Sequence, residues 1–92
     1  EVGIIAEEGA YRHPAVWKSG GQGGAKPNPT VQKRWFEAAC QVARARDMAG
    51  LYWWNLDFHA DPDAAVPSDS LTSFLGRPAE TALTSCFRTW PR

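Results

Sequence analysis

The chain has no surplus of either charge, because ten basic residues balance ten acidic ones. It therefore lacks the broad electrostatic footprint by which nucleic acid or an anionic membrane surface is held. No apolar run is long enough to span a bilayer, and no basic-plus-apolar leader opens the chain. Cysteine is scarce: Cys40 and Cys86 are the only two and form no CxxC, so a zinc or redox motif has no support. They fall in two different predicted helices, and a disulfide or two buried free thiols stay equally open. There is no Gly-x-Ser-x-Gly, and Ser68, Ser70 and Ser73 have no histidine at a telling spacing, which removes serine hydrolysis. The GGQGG run at 20–24 lacks the spacing and the closing Lys-Ser/Thr of a phosphate-binding loop.

What the chain does have is tryptophan: Trp17, Trp35, Trp53, Trp54 and Trp90. Five indoles in 92 residues exceed what packing needs, and an indole is a flat apolar surface for sugar rings or bases. With no basic patch, sugars are the better match. The length allows at most one small domain. The chain opens on a strand-like EVGII rather than on Met, which suggests a piece of something longer. Localisation, extracellular or cytoplasmic, then depends on residues upstream.

Periodicity predicts strand, loop, helix, strand, loop, helix. Residues 2–7 are a short, partly β-branched apolar run and read as a buried strand, which Gly9 lets the chain leave tightly. A long loop follows, from Tyr11 to Pro29, with a single helical turn expected at Ala15–Trp17. Residues 30–46 carry Val31, Trp35, Ala38 or Ala39, Val42 and Ala43 or Ala45 at helical spacing, with Asn28 or Thr30 available as the cap. Asp47–Gly50 forms the exit turn. Residues 50–56 give the second strand, and an acidic, proline-containing loop runs from Asp57 to about Ser70. The last helix covers 77–89, with Pro78 suited to its first turn. Two strands joined by a helix imply a right-handed parallel crossover. A pair of parallel strands cannot cover both faces, so the pattern reads as consecutive units of a larger α/β sheet or barrel.

Both strands end in residues with chemistry. Glu7-Glu8-Gly9 closes the first; Trp53-Trp54-Asn55 closes the second, four residues after Gly50; Gly76-Arg77-Pro78-Ala79-Glu80 leads into the last helix. In this order the three segments resemble the last two βα units of a retaining glycoside hydrolase with a (β/α)8 TIM barrel. The nearest type is the family 113-like group of β-mannanase relatives. The resemblance covers nearly the whole chain. In those enzymes the seventh strand ends in a nucleophilic glutamate within Glu-x-Gly, and the eighth ends in a tryptophan under the sugar at the cleavage point. A Phe…Gly-Lys-Pro-Ala segment then opens the final helix; here Phe74, Gly76, Arg77, Pro78 and Ala79 hold those places.

Carried over residue by residue, the resemblance implies Glu7 as the catalytic nucleophile and Trp54 as the sugar platform. Glu8 and Trp53 then point the other way, Trp53 into packing. Strand alternation alone does not choose between Glu7 and Glu8. Tyr11 and Asn55 are the further candidates for binding substrate at the rim. In the relatives the aromatic directly follows the glycine of Glu-x-Gly, whereas here Ala10 stands before Tyr11. Trp35 and Trp90 read as packing residues.

No metal and no cofactor enter this reading. His13 and His59 lie on separate loops, and DFHADPD lacks the glycine and final glutamate of a calcium loop, so Asp57, Asp61 and Asp63 read as a solvated acidic loop. The expected partners are a carbohydrate substrate, a β-linked polysaccharide or oligosaccharide, and the remaining N-terminal part of the barrel. Nucleic acid and membrane are not expected partners. Retaining hydrolysis needs two carboxyl groups about 5 Å apart. The relatives take the acid/base from the fourth strand, which this chain does not contain, so the chain alone is expected to be inactive. Two other readings stand beside it. One is a catalytically silent barrel relative that binds carbohydrate; the other is a free-standing small α/β domain whose tryptophans serve protein contacts.

Overall fold

The computed structural model describes residues 1–14, 26–55 and 72–90. Strand β1 (Val2–Gly3) pairs in parallel with β2 (Trp53–Trp54), and helix α1 (Pro29–Ala45) forms the crossover between them. Helix α2 (Pro78–Thr89) follows, and a short 3-10 turn at Ala10–Arg12 lies beyond the end of β1. The helical turn expected at Ala15–Trp17 and the acidic loop lie outside the described residues. No helix among the described residues is long and apolar enough to cross a membrane.

Local chemistry sets both ends of α1. Asn28 is extended, its Oδ1 accepts the Thr30 N–H at 3.1 Å, and Pro29 takes the first helical position, where its missing N–H costs nothing. At the other end Asp47 adopts φ 53°, in the left-handed region. The Met48 N–H then reaches the Ala43 carbonyl at 2.9 Å and the Asp47 N–H reaches Arg44 at 3.1 Å, the paired bonds of a Schellman cap. Helix α2 starts at Pro78. Glu80 in its first turn accepts the Gly76 N–H at 2.8 Å, and Gly76 itself has φ 72°.

The inward face of α1 carries Gln32, Phe36, Cys40 and Ala43, all buried. Phe36 packs on Trp53 (ring centroids 4.7 Å apart) and edge-on to Phe74 (5.7 Å), above the small residues Ala79 and Ala82 of α2. A second cluster joins Ile4, Ile5 and Ala10 to Val31 and Trp35. The two helices are bolted together by a Cys40–Cys86 disulfide with its Cα atoms 6.1 Å apart. Arg44 adds hydrogen bonds from its guanidinium to the Cys86 carbonyl and the Thr89 hydroxyl.

Strand pairing is shorter than the runs at 2–7 and 50–56 suggest. Beyond Val2 N–H to the Tyr52 carbonyl (2.8 Å) and the register Val2↔Trp53, Gly3↔Trp54, each strand gives its backbone to other segments. The carbonyl of Ile4 accepts from the Gln32 amide, and residues 6–8 bond with 26–28. Asn55 exchanges bonds with the 72–74 segment, its N–H to Thr72 and its carbonyl from Phe74, both at 3.2 Å. Backbone groups must be satisfied somewhere, and loops returning on each strand end supply the partners here.

Two stability predictions follow from these bonds. Replacing Cys40 and Cys86 by serine opens a loop with a sequence separation of 46 and should lower unfolding free energy by about 2–4 kcal/mol in denaturant titrations of the intact protein. Gln32→Leu keeps bulk but takes the amide donor from the buried Ile4 carbonyl, while Thr72 and Ser73 keep the Asn55 N–H and Arg77 as donors, and should cost about 1–3 kcal/mol.

Candidate functional site

The C-terminal ends of the two strands hold the residues singled out by sequence. Gly9, at φ 73°, turns the chain immediately after Glu7-Glu8 into the 3-10 turn, a backbone conformation that a side chain would strain. Before that turn the strand end is clamped from the side. The Asn28 N–H donates to the Ala6 carbonyl at 2.6 Å, the Glu8 N–H donates to the Lys26 carbonyl at 2.8 Å, and Glu7 bridges to Pro27. Glu7 is 1 % exposed, whereas Glu8 is exposed and its Oε2 accepts from the Asn28 side-chain amide at 2.6 Å. The two adjacent carboxylates therefore occupy opposite environments.

On β2 the two tryptophans divide in the same way. Trp53 packs against Phe36 under α1, while Trp54 is 48 % exposed. Trp54 lies over Gly3 of β1, and the fit is close. A Cβ at residue 3 would come within 2.7 Å of the Trp54 Cβ and 2.8 Å of its carbonyl oxygen. Glycine is what lets the two backbones and the indole share that space. The Trp54–Asn55 peptide bond is cis.

Glu7 stands four residues past Gly3, so the carboxylate and the indole differ in height by up to roughly 13 Å along the strand. Asn55 sits beside the 72–74 segment, and its Oδ1 is buried without a hydrogen-bond partner among the described residues. Tyr11 is 56 % exposed on the 3-10 turn, with the Arg12 guanidinium 5.8 Å from its ring centroid. Nothing in the described residues joins Tyr11 to Trp54 or to Asn55.

Three residues under this end had no place among the sequence candidates. Gln32, fully buried, donates its amide to the carbonyls of Ile4 (3.3 Å), Thr72 (3.0 Å) and Ser73 (3.4 Å). Ser73 is buried, and its carbonyl also accepts from Arg77. Burial pulls the Arg77 guanidinium pKa down from its ordinary value, by desolvation of the cation. Spacing alone put Val31, Trp35 and Val42 on the apolar stripe, whereas the buried face is Gln32, Phe36, Cys40 and Ala43 and Val42 is exposed; a buried polar Gln32 therefore needed partners that only the fold reveals.

Chemically, a buried carboxylate can supply a nucleophile and an exposed indole an apolar platform; no contact between Glu7 and Trp54 joins the two among the described residues. Glu8 does not supply the second carboxyl of a retaining pair, because it points away to Asn28. Among the described residues no group of three or more His, Cys, Asp or Glu is placed to hold a metal ion, and DFHADPD lies outside them. No known protein family, curated protein or solved structure matches this chain.

The contact at Gly3 gives a test of the platform. Gly3→Ala should displace Trp54 and cost about 1–3 kcal/mol, as overpacking does. Tryptophan fluorescence of the intact protein should shift with it. An unchanged spectrum and stability would mean that the indole does not rest on residue 3.

Proposed function

We propose that this chain supplies the last two βα units of a (β/α)8 barrel in a retaining glycoside hydrolase that cleaves β-linked polysaccharide or oligosaccharide. The observation that carries the reading is that the segment leaving β1 carries a buried carboxylate, Glu7, while the strand paired with β1 ends in Trp54, whose indole is open. In this reading Glu7 attacks the anomeric carbon and forms a covalent glycosyl intermediate, while the leaving oxygen takes a proton from an acid/base outside this chain. Water then releases the sugar with the same configuration. Trp54 provides the apolar floor under the ring, and Asn55 and Tyr11 serve the rim. The chemistry calls for no metal or cofactor.

Two apolar flanks support membership of a larger barrel. One is an open groove of about 400 Å³ between β1 and α1, lined by Val2, Trp35, Ala38, Ala39, Val42 and Met48 among others. The other, about 240 Å³, lies between Trp53 of β2 and Phe87 and Trp90 at the end of α2. In a barrel each flank abuts a neighbouring βα unit, which would bury surface that is costly to leave wet. The partner is then the rest of the barrel. The 92-residue chain, with one carboxyl of the pair, is expected to show no turnover by itself. A catalytically silent, carbohydrate-binding relative is the second reading, favoured by the exposure of Trp54, whose indole is a platform with or without a nucleophile.

The test is trapping in the full-length protein. A 2-deoxy-2-fluoro glycoside with a good leaving group should leave an adduct on the peptide that contains Glu7, found by mass spectrometry. Glu7→Gln should lower kcat/KM by at least about 10³-fold. Sugar binding without turnover would select the silent reading, and an adduct on another carboxylate would remove Glu7 as nucleophile.

A further inference from the structure

The segment that leaves β1 carries two adjacent glutamates of the same chemistry, Glu7 and Glu8. Residues 4–7 are all buried and Glu8 is the first exposed one after them, so side-chain type does not set the boundary between the two glutamates. Something else must tell Glu7 from Glu8.

The ties at this strand end converge on Asn28. Its N–H holds the Ala6 carbonyl at 2.6 Å, its Oδ1 takes the Thr30 N–H at 3.1 Å as the cap of α1, and its Nδ2 donates to Glu8 Oε2 at 2.6 Å. Since Oδ1 is committed to the helix, the amide is oriented with its NH2 toward Glu8. That arrangement rewards a carboxylate on the outer side of residue 8, by a charge-assisted bond. Glu7, just before it, is buried together with Ile4, Ile5 and Ala6.

We infer that Asn28 is a positioning residue for Glu7: by clasping Glu8 it selects which of the two carboxylates enters the site, and it ties that choice to the start of α1. The catalytic consequence rests on the glycosidase reading above; the structural consequence does not. Because capping and clasping use different atoms of one amide, they can be separated. Asn28→Asp keeps the cap, for which Asp serves as well as Asn, but loses the donor and sets a second carboxylate against Glu8. Adding Glu8→Gln restores a donor and an acceptor with the roles exchanged.

The experiment compares wild type, Asn28→Asp and the double variant Glu8→Gln/Asn28→Asp in the full-length protein. Two readouts are used: hydrogen exchange of the Glu8 and Asn28 amides, and kcat and KM on a β-linked oligosaccharide. Asn28→Asp should speed exchange of these amides about tenfold and lower kcat by a similar factor with little change in KM, and the double variant should recover most of both. Wild-type exchange in Asn28→Asp, or a double variant no better than the single one at equal thermal stability, overturns the inference. If the wild-type protein shows no turnover, the glycosidase reading fails and the exchange arm alone decides the clasp. Should Asn28→Asp fail to fold, Glu8→Ala breaks the same bond without touching the cap. It should give the same rise in exchange and the same fall in kcat, and wild-type values for it would be fatal to the idea.

Discussion

The side-chain amide of Gln32 is the interaction on which the rest of this structure depends. One NH2 group in the first turn of α1 answers carbonyls from three residues, Ile4 after β1 and Thr72 and Ser73 before α2. Those carbonyls have no sheet partner, since the parallel pairing is confined to Val2–Gly3 and Trp53–Trp54. In a buried setting an unanswered carbonyl is costly, so the amide answers Ile4 where β1 stops pairing and joins it to the 72–74 segment, whose carbonyls also accept from Asn55 and Arg77. That segment in turn receives Asn55 and places Phe74 on Phe36. A leucine at residue 32 would continue the apolar stripe and remove the side chain that ties Ile4 to the 72–74 segment.

Around this amide the helices are held by means that do not need a large core. Small residues, Ala43 on α1 with Ala79 and Ala82 on α2, are buried, and the Cys40–Cys86 disulfide joins the helices where the packed aromatic layer thins out. The bridge acts chiefly on the unfolded chain by closing a long loop, which suits a small unit with limited apolar burial. The residues singled out by sequence depend on other contacts. Strand ends that have left the sheet are held by loop backbone at 26–28 and 72–74, and this leaves Glu7 inside, Glu8 outside and Trp54 open above Gly3.

The helices were legible in the sequence because their signals are local. Asn28-Pro29-Thr30 contains its own cap bond, and Gly76-Arg77-Pro78 with Glu80 contains the turn and the first-turn acceptor. The limits shifted by one residue, to Pro29 and Pro78, since a proline can occupy the first helical position itself. The strands were legible as apolar runs but not in extent, because whether an apolar residue pairs depends on segments far along the chain. Asp47 is a similar case: a glycine is the usual mark of such a cap, and an aspartate at φ 53° gives little warning.

By itself the sequence determined where the helices begin, that two apolar strands stand on either side of α1, and that carboxylates and indoles lie at their ends. Each of these depends on neighbours within a few residues, so spacing and residue type suffice. Only the tertiary structure decided that Glu7 is buried and Glu8 is not, that Trp53 packs while Trp54 is open, and that the two cysteines are joined. Those outcomes are set by contacts across long separations, Asn28 with Glu8, Gly3 with Trp54 and Cys40 with Cys86. Alternation says that neighbours in a strand differ in face; only the partner across the gap says which face is inside.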